Sequence, residues 1–157
     1  MGLFDFLGAK PHEDKVLGVL NRKSGKWQGS IRIGTDAVPL LVSGPSAHPD
    51  EAALELARAL PGKYAGLQQE IQHHLFEHYR PYREAADRGE LDDRSEPFPR
   101  MDAPRDVWAH ARTEHVLIEP IEGVVTVEIG YRVAWDEEHT LGAWIREWRV
   151  FELCGSV

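Results

Sequence analysis

The sequence predicts an α+β fold: antiparallel meander strands, then two central helices packed on the sheet, then a C-terminal antiparallel meander. Three observations predict it. Residues 15–44, KVLGVLNRKSGKWQGSIRIGTDAVPLLVSG, break into short β-rich runs between turn-forming clusters. Residues 49–89 carry apolar positions at helical spacing, and GVVTVEIGYRVAW, residues 123–135, alternates at a period of two.

Taken in order, Ser24-Gly25, Gly34-Thr35-Asp36 and Gly44-Pro45 mark the turns that divide the first region into three antiparallel strands. Pro49-Asp50-Glu51 opens the first helix, with acid in its first turn, and Pro61-Gly62 is expected to break it. The second helix runs from about Lys63 to Ala86, with Gly89 as its C-cap. On a helical wheel its inner face carries Tyr64, Leu67, Ile71, Leu75, His78 and Tyr82. Residues 89–106, rich in charge and proline, read as an exposed connector inside one domain spanning 11–157, with 1–10 as a lead-in. Trp108 falls in a short helical turn. Strands follow at His115–Glu119 and through 123–135, where Val125, Val127, Ile129, Tyr131, Val133 and Trp135 form an apolar face. Leu141–Ile145 and Val150–Leu153 complete the second meander.

Composition narrows the function. A chain of 157 residues, 42% hydrophobic, supplies a core for one domain without covalent staples. A single cysteine, Cys154, excludes an internal disulfide and suits a reducing, cytoplasmic compartment. Twenty-six acidic against eighteen basic residues give a formal charge of −8, which disfavours nucleic acid and favours a basic protein partner. The start, MGLFDFLGAK, lacks the early positive charge of an export signal and the Ser or Thr that myristoylation requires; Leu3, Phe4, Phe6 and Leu7 are expected to dock on the body. No apolar stretch approaches the ~20 residues that cross a membrane.

The C-terminal run VAWDEEHTLGAWIREWRVFELCGSV resembles an uncharacterised family of small bacterial proteins, a domain of unknown function. The matching positions are Trp135, Asp136, Glu137, Glu138, His139, Leu141 and Gly142, then Glu152, Leu153, Gly155, Ser156 and Val157. Trp27-Gln28-Gly29 and the helix through Tyr79 fit the same outline, so the resemblance covers most of residues 15–157. It implies an α+β fold and no established activity; some comparable small proteins serve as immunity partners of toxins. The corner Arg146-Glu147-Trp148-Arg149 departs from the glycine-containing turn expected there, which leaves the register of the last hairpin open.

Two clusters could carry chemistry. In HHLFEHY, residues 73–79, His74 and His78 stand at i and i+4 with Glu77 between them, the H-x-x-E-H spacing of one class of zinc peptidases. A third ligand would have to come from elsewhere, with Glu137, Glu138 or His139 available, so a metal-dependent hydrolase is the alternative reading and half-buried helix histidines the leading one. In Asp136-Glu137-Glu138-His139, carboxylates beside an imidazole describe an acid/base pair, a cation site or a solvated turn. No nucleophile elbow or phosphate loop is present, and Cys154 has no basic neighbour to activate it. No cofactor is implied. Trp144 and Trp148 suit an interface, Trp148 foremost because a hairpin corner is hard to bury. The sequence therefore reads first as a protein-binding module of immunity or accessory type, with an enzyme as the runner-up. Its binding residues are Trp144, Trp148, Asp136, Glu137, Glu138 and His139, and self-association through the aromatic sheet face is a further option.

Overall fold

A computed structural model describes residues 9–155. The elements in order are β1 (His12–Asp14), β2 (Gly18–Lys23), β3 (Lys26–Ile33), β4 (Asp36–Val42), α1 (Glu51–Asp87), a 3-10 helix (Pro104–Ala109), β5 (Ala111–Ile121), β6 (Val124–Val133), β7 (Asp136–Arg146) and β8 (Arg149–Gly155). All eight strands join one sheet in sequence order. The lead-in apolar residues Leu3, Phe4, Phe6 and Leu7 lie outside the described residues, as do Ser156 and Val157.

The expected pair of central helices is corrected to a single helix of 37 residues that runs through both Pro61 and Pro81. The reason is packing. Ala53, Leu54, Ala57, Leu60, Tyr64, Leu67, Ile71, Leu75 and Tyr79 are all buried, and their separations of one, three or four residues continue across Pro61 without a phase change. Each buried Leu or Ile stabilises by about 1.5–3 kcal/mol, so two of them offset the ~3 kcal/mol that an interior proline costs. Both prolines sit on the exposed side. Near the end of the helix Tyr79 takes the core position, while His78 and Tyr82 occupy the half-buried flank. The helix closes as a Schellman motif: Gly89 N–H reaches Ala86 O, Glu90 N–H reaches Ala85 O, and Gly89 adopts φ +75°.

The two expected meanders are likewise one mixed sheet. β4 and β5 run parallel, with Leu40 opposite Val116 and Val42 opposite Ile118, because α1 carries the chain back before β5 begins. Every other neighbouring pair is antiparallel. The loop entering the helix is tight at Gly44 (φ +149°), where a Cβ would lie 2.7 Å from the Asp50 nitrogen and the His48 oxygen. Three hairpins turn on two residues at positive φ: Ser24-Gly25, Glu122-Gly123 and Glu147-Trp148. The last contains no glycine, yet it holds Arg146 opposite Arg149.

α1 covers one face of the sheet, where Trp27, Leu40, Ile118, Ile129, Tyr131 and Leu141 are buried with it. Tyr64 and Tyr131 join the layers through hydroxyls 3.0 Å apart. Residues 89–106, expected as an exposed connector, are anchored in part: Pro99 and Met101 are buried, the Met101 N–H donates to the Tyr79 hydroxyl, and Phe98 stacks on the Tyr79 ring.

Candidate functional site

The turn joining β6 to β7 is Ala134-Trp135, earlier than the sequence suggested. Val133 pairs with Asp136, but the next pair is Arg132 with Thr140, so Glu137, Glu138 and His139 bulge out of the ladder. Asp136 is therefore the inner anchor of this corner and not a solvated turn residue. It is only 5% exposed. The Tyr82 hydroxyl donates to its Oδ2 at 2.8 Å, the Glu138 and His139 amides donate to Oδ1, and His139 Nδ1 stands 2.9 Å from Oδ1. Trp135, fully buried, donates its indole N–H to His78 Nδ1 at 3.0 Å. Arg94 clamps the outside, donating to the carbonyls of Ala134 and Trp135, lying 3.4 Å from a Glu137 oxygen and stacking over Phe98.

These contacts set the electrostatics. Burial alone would raise the Asp136 pKa, but the donated hydrogen bonds from Tyr82 and His139 hold the carboxyl below its ordinary value. The Tyr82 phenol is pushed up to about 12, first by burial and then by that carboxylate. Burial lowers the His78 pKa against the opposing pull of Asp136, and the indole donor requires its Nδ1 to be unprotonated. Beside the corner lies a cavity of about 330 Å³ whose lining includes the carboxylates of Glu90, Asp93, Asp136, Glu137 and Glu138, against Arg94 and His139. Such a recess suits a cationic group.

The other expected site residues do not join it. Trp148 sits in the turn at the far end of β7, half-buried against the core with the Lys63 ammonium 5.8 Å over its ring. Trp144 faces the opposite side of the sheet. In HHLFEHY, Glu77 pairs with Arg80, His78 accepts from Trp135, and His74 is half-buried on the helix flank. No group of three or more His, Cys, Asp or Glu able to hold a metal ion occurs among the described residues. No helix among them is long and apolar enough to cross a membrane.

A second cluster escaped sequence reasoning. On the face without a helix, Glu128 is 4% exposed; its Oε2 accepts from the Trp144 indole at 2.6 Å and its Oε1 lies 3.3 Å from His115 Nε2. Register sets His115, Gly130, Gly142 and Cys154 in one row across four strands. The two glycines make the room: a Cβ at Gly130 would meet the imidazole at 2.2 Å, and one at Gly142 the Glu128 carboxylate at 3.0 Å. The signal was present as isolated glycines inside strands, with a glutamate between Val127 and Ile129. Beside it, Leu41, Leu117, Pro39 and the rim residues Lys26 and Thr140 line a shallow groove of about 460 Å³.

No curated protein and no solved structure matches the chain significantly. A family model described as a domain of unknown function, DUF6985, matches residues 16–156 and takes in both clusters and the whole of α1. The chain thus belongs to the DUF6985 family.

Proposed function

We propose that the chain is a protein-binding module, of immunity or accessory type, that receives a basic side chain of a partner protein in the recess beside Asp136–His139. The observation carrying this reading is the lining of that recess, where five carboxylates face the Arg94 guanidinium and the His139 imidazole. Arg94 already neutralises Glu137, Arg88 holds Glu90, and Asp136 is committed to Tyr82 and His139, which leaves Asp93 and Glu138 for an incoming ammonium or guanidinium. The chain's net charge of −8 supports fast encounter with a basic partner. Rigid support from helix, connector and backbone amides favours recognition over induced ordering.

The test is calorimetric titration with short arginine-rich peptides in low salt, comparing wild type with Asp93→Lys/Glu138→Lys and with Trp148→Ala. Charge reversal should weaken binding at least tenfold, with chelator making no difference. Binding indifferent to the reversal would sink the assignment to this recess, and loss on Trp148→Ala alone would move it to the other end of β7. The hydrolase reading of His74, Glu77 and His78 draws no support from this geometry, since Glu77 is engaged by Arg80 and His78 by Trp135.

A further inference from the structure

The geometry points to self-association: the helix-free face of the sheet, from β3 to β8, docks on the same face of a second copy. Charge is the first argument. The protein as a whole carries −8, but this face does not share the excess. Three of its carboxylates are engaged within the sheet, Glu114 by Arg132 and Thr140, Glu119 by Lys26, Glu128 by Trp144 and His115, and the exposed Glu152 opposite Trp144 is outnumbered by the exposed Arg32 and Arg112. Two copies meeting here keep their acidic surfaces apart.

Apolar exposure is the second. Of the large hydrophobic side chains exposed among the described residues, Phe151 (42%) and Val124 (46%) both point to this side. Phe151 is the extra residue of the β8 bulge and packs on Trp144 and under the Arg146 guanidinium. Leu41 and Leu117 add half-buried apolar surface at the groove on the same face. Area is the third. Six strands at ~4.8 Å spacing and about seven residues at ~3.3 Å give a flat area of roughly 650 Å² before side-chain relief, close to the ~800 Å² per partner of a standard interface. The recess beside His139 lies at the β6–β7 corner and stays free, so this inference stands independently of the binding function.

Sedimentation velocity on wild type from micromolar to millimolar concentration tests it, beside Val124→Glu/Phe151→Glu, with Val16→Glu as an exposed control in the β1–β2 turn. Wild type should sediment as a dimer, the double variant as a folded monomer, and Val16→Glu as wild type. Ser30→Glu, an exposed position on the same face, must also weaken the dimer, and it decides the matter if the double variant does not fold. A monomeric wild type overturns the inference, as does a dimer unmoved by acid placed on this face or lost with Val16→Glu.

Discussion

Gly130 and Gly142 show how one missing methyl group governs what a sheet face can carry. A glycine inside a strand costs about 0.5–1 kcal/mol relative to alanine, so alanine at either position would stabilise the strand if space allowed. At Gly130 it does not: the Cβ would meet the His115 ring at 2.2 Å, and the imidazole would have to leave Glu128. Gly130→Ala is expected to destabilise by about 1–3 kcal/mol and to shift the His115 ring resonances. Gly142→Ala meets the carboxylate at 3.0 Å and should cost clearly less. Equal costs in urea denaturation would show that the ring is not packed on the Gly130 backbone as described.

At the scale of the element, α1 illustrates packing overriding propensity, and it also carries unused stability. Gly62 and Gly66 lie on its exposed side at ordinary helical φ, with nothing within 4 Å of a built Cβ. Glycine in a helix interior costs about 0.8–1 kcal/mol. Gly62→Ala/Gly66→Ala should therefore stabilise by about 1.5–2 kcal/mol and raise Tm by several degrees, at about 2–4 °C per kcal/mol for a chain of this size. An unchanged or lower Tm in calorimetry would mean that the helix bends at these residues. The same helix guards the edge strand: Glu70 accepts from the Val150 amide at 2.8 Å and from Arg149, and these donors outweigh burial in holding its carboxyl below the ordinary value. The outward N–H of β8 at that point is thereby denied to a foreign strand.

For the molecule as a whole, the titrating groups make acid the destabilising condition, in two windows. His78 has a folded pKa below its ordinary 6.5, so the unfolded chain binds the proton first. The stability it contributes is complete above about pH 6.5 and is lost as pH falls through the lower folded value. The carboxylates act lower. Asp14, on which Arg58 of α1 donates two hydrogen bonds, is held at about 2 against an ordinary 3.8, and Asp136 is also depressed. Their contributions are present above the ordinary carboxylate range and vanish as pH falls through the folded values. Urea midpoints against pH should show both falls. In His78→Gln, whose amide oxygen can still accept from Trp135, the upper one should flatten while the lower one persists. A variant that keeps the upper fall would assign it to another histidine.

The sequence by itself determined the family resemblance, the turns at Ser24-Gly25 and Gly34-Thr35, the Gly89 cap and the apolar face of β6, because each rests on neighbours within a few residues. HHLFEHY and the Asp-Glu-Glu-His run could be seen but not interpreted, since their meaning depends on Trp135 donating to His78 and Tyr82 donating to Asp136, partners more than fifty residues away. Only the tertiary structure decided that Pro61 lies inside a helix, that β4 and β5 run parallel, and that Glu128 is buried on a face with no helix over it. In each case the local preference is worth a few kcal/mol at most, and long-range burial outweighs it.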